Sequence, residues 1–145
     1  MLYSLTSELN IPADDVFAWH ARPATLKRLI PPWENARALE TPPELAAGSQ
    51  TRLVLRYGPL SIEWLAEHAQ VEQGHGFTDR QLRGPFSRWI HGHLFENLPT
   101  GGCRLQDTID FNLPGGRIPE LIAGGTVWRR IDRAFRWRHR VIASD

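Results

Sequence analysis

The sequence predicts an α+β fold in which a curved antiparallel sheet wraps around a long C-terminal helix. Three observations point there: a strand-like start followed by two short proline-bounded helices, a run of extended segments divided by glycine and proline turns, and a terminal stretch with apolar residues at helical spacing. Strands grouped together and then closed by a helix suit a meander better than alternating parallel units.

Residues 2–9 open with strand-forming side chains. Pro12-Ala13-Asp14-Asp15 then starts a helix, because proline is tolerated in a first turn and carboxylates suit the positive end of the dipole. Val16, Phe17, Trp19 and His20 fill that helix, Pro23 ends it, and a second short helix over about 25–30 is stopped by Pro31-Pro32. Extended segments follow at about 34–40, 51–57, 60–72, 77–83, 86–98 and 103–113. Pro42-Pro43, Gly58-Pro59, Gly74, Gly84-Pro85 and Gly101-Gly102 separate them, and turns that close together imply antiparallel neighbours. Residues 118–141 read as the longest helix. Leu121, Ile122, Trp128, Ile131, Phe135 and Ile142 fall near one stripe, so Trp128, Ile131 and Phe135 should face the concave sheet. Gly124-Gly125 is expected to bend this helix or delay its start.

At 145 residues, 41% hydrophobic and 23% charged, the composition is that of one globular domain, 1–145, without repeat or linker. No apolar run approaches the ~18 residues of a membrane span, so integral membrane association is not expected. The start lacks the basic-then-apolar pattern of a secretory signal, and a cytoplasmic location is the expectation. Cys103, the only cysteine, can form neither an internal disulfide nor a cysteine zinc cage. Lys27 is the only lysine, which sets aside Schiff-base chemistry. The net charge of +1 hides an asymmetry, since residues 1–128 carry 11 Lys/Arg against 14 Asp/Glu (−3), while 129–140 carry six Arg against Asp132 (+5).

Strand side chains alternate, so each segment divides into two faces, and the more apolar face is assigned inward. That rule carries Trp89, His91, His93 and Phe95 inside, together with Cys103, Leu105, Asp107, Ile109 and Phe111. It does the same for Ile62, Trp64, Ala66 and His68, and for Phe77, Asp79, Gln81 and Arg83. The expected chamber therefore holds a polar cluster of Asp79, Gln81, His91, His93 and Asp107 walled by Trp64, Trp89, Phe95 and Phe111. A carboxylate so placed needs a partner, and imidazole is available.

Four stretches carry a family resemblance: Leu29-Ile30-Pro31-Pro32-Trp33-Glu34, Gly76-Phe77-Thr78-Asp79-Arg80-Gln81, Gly84 through Phe95, and Leu105 through Phe111. The chain resembles the helix-grip ligand-binding superfamily (START and Bet v 1-like, SRPBCC), which includes plant pollen allergens, steroidogenic lipid-transfer domains, polyketide cyclases and coenzyme-Q-binding proteins. It is most similar to the bacterial cyclase/dehydrase-like branch, and also to domains attached to a nucleotide-sugar epimerase-like partner. The resemblance implies an apolar or amphipathic small molecule, such as a lipid, isoprenoid or polyketide-like compound, held between sheet and C-terminal helix. It does not imply catalysis.

Trp64, His68, Phe77, Gln81, Trp89, His91, His93, Phe95, Asp107, Phe111, Trp128, Ile131 and Phe135 are then the expected ligand contacts. The alternative function is a cyclase or dehydratase in which His91, His93, Asp107 or Asp79 moves a proton on a bound carbonyl compound. His91-x-His93 could also present two imidazoles to a metal with His68 or Asp107, but histidines bonded to Asp107, Asp79 or water are the simpler reading, and neither metal nor cofactor is expected. Arg129, Arg133, Arg136 and Arg140 cluster opposite Trp128, Ile131 and Phe135, as a solvated helix face should. That face suits a protein partner better than nucleic acid, which is not expected, and an interaction module is the third reading.

Overall fold

The computed structural model describes residues 1–145. In chain order they form β1 (Leu2–Leu9), α1 (Ala13–His20), α2 (Thr25–Arg28), β2 (Ala36–Glu40), β3 (Gln50–Tyr57), β4 (Leu60–Glu72), β5 (Gly76–Arg83), β6 (Arg88–Asn97), β7 (Cys103–Asn112) and α3 (Arg117–Ser144). The strands make one curved antiparallel sheet in the order β1-β7-β6-β5-β4-β3-β2. This is the α+β architecture expected from the turn spacing. No helix is long and apolar enough to cross a membrane.

Alternation sets the faces of the central strands. Cys103, Leu105, Asp107, Ile109 and Phe111 are all buried along β7 while their neighbours are not, and β6 buries His91 and Phe95. β4 departs from this rule because its pairing with β5 slips twice, between Leu65 and Ala66 and between His68 and Gln70. The second slip absorbs one residue, so His68 and Val71, three apart, both reach the inner side. The first turns the end of β5 outward. Arg83, expected inside, is exposed and lies 3.6 Å from Glu63.

α3 starts at Arg117 and runs through Gly124-Gly125 to Ser144, so the glycine pair neither delays nor interrupts it. Gly124 instead gives room to Met1, whose Sδ would lie 2.9 Å from an added Cβ. Ile131, Phe135, His139 and Ile142 are buried on one stripe. Leu121 and Ile122, expected on that stripe, are 86% and 80% exposed, since at about 100° per residue Ile122 projects opposite Ile131 and Leu121 about 80° to its side. Trp128 also stays outside the concave space. Its indole packs edge-on against Tyr3 at 5.3 Å and donates to the Leu2 carbonyl.

The core divides into two apolar clusters. One gathers Leu9, Val16, Phe17, Phe77, Phe95, Leu105 and Ile142, and the other Tyr3, Ile109, Phe111, Leu113, Ile131 and Phe135. Gly76 admits the close approach of β5 and β6, since a Cβ there would sit 2.1 Å from the His93 carbonyl oxygen. Gly76→Ala should force the strands apart and cost about 1–3 kcal/mol, read as a lower urea midpoint with unchanged slope.

Candidate functional site

Between the two clusters lies a layer of imidazoles and carboxylates. The pairing of β6 with β7 sets His93 opposite Asp107, and that of β5 with β6 sets Asp79 opposite His91. Asp107 is the hub. Its Oδ1 accepts from His91 Nε2 at 2.6 Å and faces His93 Nδ1 at 3.2 Å, while Oδ2 accepts from His139 Nε2 at 2.6 Å. His139 extends the chain to the Ser7 hydroxyl, 2.7 Å from Nδ1. On the other side His93 Nε2 donates to Asp79 Oδ2 at 2.9 Å, and His68 Nδ1 donates to Asp79 Oδ1.

Charges follow from these contacts. Burial alone would protonate the two carboxylates, but the imidazole N–H groups outweigh it, with His68 and His93 holding Asp79 and His139, His91 and His93 holding Asp107 well below the usual range. Burial would also strip His93 of its proton. Hydrogen bonds to Asp107 and Asp79 reverse that and raise it to about 9, so it is an imidazolium donating from both nitrogens. His91 is lowered to about 4 by burial and by the His93 charge, and it stays neutral with Nδ1 outside any hydrogen bond. His20 is likewise lowered to about 4, by burial first and then His93, while its Nδ1–H donates to Val16 O at 2.8 Å.

This layer meets a cavity of about 490 Å³ between the sheet, α1, α2 and α3, with 19 hydrophobic residues among its 36 lining residues. Trp64, His68, Phe77, Asp79, Trp89, His91, His93, Ile131 and Phe135 line it. Trp64, Phe86 and Trp89 form its aromatic end, with Trp89 5.0 Å from Trp64 and 4.8 Å from Phe86 between ring centroids. Five residues expected at the cavity surface lie elsewhere. Phe95, Phe111 and Asp107 sit behind it, the two phenylalanines sealed in the core and Asp107 screened by its histidines. Gln81 turns away to clamp the following turn, donating to Phe86 O at 2.7 Å and accepting from Phe86 N. Trp128 is on the outer side, as described above.

Alternation along the strands could not find the helical contributors. His20, Arg130 and Arg138 line the cavity, and His139 lies behind it. The loop after α2 clasps α3: Glu34 accepts from Arg130 Nη2 at 2.6 Å, and Trp33 lies under the Arg133 guanidinium at 4.1 Å and edge-on to Trp137 at 6.0 Å. Donor atoms of Asp79, His91 and His93 fall within 4.8 Å of one another, close enough to converge on an ion. His93 offers such an ion no lone pair until it gives up a proton that two carboxylates hold.

Comparison with known proteins adds the lineage. The family model described as polyketide cyclase / dehydrase and lipid transport matches residues 9–138. The chain belongs to this family. A search of curated proteins returned no match. Among solved structures, this polyketide cyclase / dehydrase and lipid transport family member is similar to TTHA0849 from Thermus thermophilus, with TM-score 0.76, 14% identity, and 99% of this chain and 95% of that one covered. Norcoclaurine synthase from Thalictrum flavum, in complex with dopamine and hydroxybenzaldehyde, superimposes with TM-score 0.71 at 12% identity, covering 99% and 84%. The nucleoside-diphosphate sugar epimerase from Corynebacterium glutamicum gives TM-score 0.75 at 23% identity, and the 98% of the family member that aligns spans 28% of that longer protein. Likeness at these identities establishes the helix-grip fold.

Proposed function

We propose that this chain binds an apolar or amphipathic small molecule, of lipid, isoprenoid or polyketide-like chemistry, in the chamber between its sheet and α3. One observation carries the reading: a cavity of drug-ligand size, about 490 Å³, mostly apolar in lining but with imidazoles converging at one side. The family's description, which includes lipid transport, supports it. Trp64, His68, Phe77, Trp89, His91, His93, Ile131 and Phe135 are the contacts, with aromatic burial supplying affinity and the imidazole layer fixing orientation. At ~25 cal/mol per Å², a few hundred Å² of apolar burial outweighs a neutral hydrogen bond worth about 0.5–1.5 kcal/mol.

Replacing Trp89 by alanine should therefore weaken binding of a neutral apolar dye such as Nile red roughly tenfold, while Arg133→Ala and added salt leave it nearly unchanged. Equal losses from both substitutions, or dye binding abolished by moderate salt, would move the site to the basic face of α3.

A second reading, proton transfer on a bound carbonyl compound, is favoured by the separation of two adjacent imidazoles. His91 and His93 have ring centroids 3.7 Å apart, yet one is neutral and the other charged. Catalysed hydrogen–deuterium exchange beside the carbonyl of a bound aryl ketone, lost in His91→Phe, would support it; no rate above buffer would count against it.

A further inference from the structure

Arg138 is a cation that α3 turns into the chamber without an anion beside it. It lies on α3 one turn beyond Phe135 and lines the cavity, its guanidinium 4.6 Å from the Phe135 ring centroid. Nε donates to Leu29 O at 2.8 Å, while neither Nη takes part in any hydrogen bond, and no carboxylate lies within 4.0 Å of the group. The carboxylates whose charge reaches it, Asp107, Glu34 and Asp79, are committed, as are those of its helix neighbours. Glu34 is paired with Arg130, Asp132 with Arg136, and Asp145 with Arg28. Asp107 accepts from its three imidazoles and Asp79 from two.

The guanidinium is half-buried and has lost hydration without gaining an anion; burial outweighs the pull of Asp107, Glu34 and Asp79 and lowers its pKa. Its planar pair of free Nη groups matches the two oxygens of a carboxylate or phosphate. The opposite end of the cavity is apolar. Val127 and Arg138 are separated by about 16 Å along the helix, from the 1.5 Å rise per residue; Val127, Phe86 and Trp89 all pack against the second apolar cluster, and Trp64 packs on Phe86 and Trp89.

We propose that the ligand is an amphipathic anion, with a carboxylate or phosphate head received by the Nη groups of Arg138 and an apolar body running toward Trp64 and Trp89. This rests on the chamber being a binding site, so the experiment separates the two ideas. Nile red, which is neutral, is bound to the native protein and displaced below micellar concentrations by dodecanoate, dodecyl phosphate or 1-dodecanol, which share a tail and differ in head. An anionic head should displace the dye at about a tenfold lower concentration than the alcohol, the scale of one charge-assisted bidentate contact. Arg138→Met, with each head compared against the alcohol in the same variant so that any change in its own dye affinity cancels, should lose that preference, while Arg138→Lys keeps part of it. Preference for the phosphate over the carboxylate, or the reverse, identifies the head.

Equal displacement by alcohol and anions from the native protein would overturn the anionic ligand and leave the apolar chamber standing. A preference that persists in Arg138→Met would overturn the role of this residue. If Nile red does not bind the native protein, both readings fall together.

Discussion

Asp107→Ala should be among the most damaging single substitutions in this protein, costing about 3–5 kcal/mol where a domain of this size has about 5–15 to lose. The carboxylate is 4% exposed and, still ionised, accepts the N–H groups of His91, His93 and His139. Alanine would leave three buried imidazole nitrogens facing a space with no acceptor, and one of those rings carries a charge. Asp107→Asn keeps the shape but offers one acceptor and a donor that opposes an imidazole N–H, so it should recover only part of the loss. Urea denaturation monitored by tryptophan fluorescence measures both. A loss below about 1 kcal/mol for the alanine variant would mean that the network is not formed in solution.

The second large effect is on pH. His20 and His91 have folded values of about 4 against 6.5 when free, so unfolding takes up protons below pH 6.5 and stability falls as the pH drops from there toward 4. Each contributes on the order of 3 kcal/mol across that window. Asp79 and Asp107, depressed by their imidazole partners, stabilise the fold above their free value of 3.8 and lose this only as the pH falls further. His93 has the opposite sign. Raised from 6.5 to about 9, it contributes fully below 6.5, and the contribution fades as the pH climbs through 9. Denaturation midpoints should peak near pH 6.5, with the alkaline decline absent in His93→Gln. A midpoint rising steadily from 6.5 to 9 would contradict the charged state of His93.

Which parts of this were legible in the sequence follows from where period-two alternation holds. β7 and β6 are regular, so Asp107, His91 and His93 could be placed on the inner face from spacing alone. β5 carries one extra residue, Leu82, where its pairing with β4 slips, and a rule that counts by twos put Arg83 on the wrong side; Gln81, paired with the cavity residue Ala66, was on the expected face but is drawn off to Phe86. His139 had a readable signal that strand alternation does not use: it follows Ile131 and Phe135 at intervals of four, on the same helical stripe. Arg138 was hidden by composition, as one arginine among six in a segment whose other members are solvated. Its position three residues past Phe135 marks it as the shoulder of the buried stripe. Phe95 and Phe111 share a face with true cavity residues, and alternation cannot tell a surface layer from the one behind it.

The order of the sheet also bears on how the molecule comes to be made. β1, the first strand to be synthesised, has a single partner, β7, and Leu9 meets Cys103 across the whole intervening chain. The strands from β3 to β7 join as successive neighbours, local closures that form quickly, whereas β1 must wait with an unsatisfied edge. The link from Ser7 through His139 to Asp107 cannot close until α3, the last element in the sequence, has docked. A nascent chain therefore carries the paired histidines of β6 and the carboxylate of β7 as open, hydrated groups before either end of the protein covers them. Pulse-labelled hydrogen exchange during refolding should find amides of the β4, β5 and β6 pairings protected ahead of those joining β1 to β7.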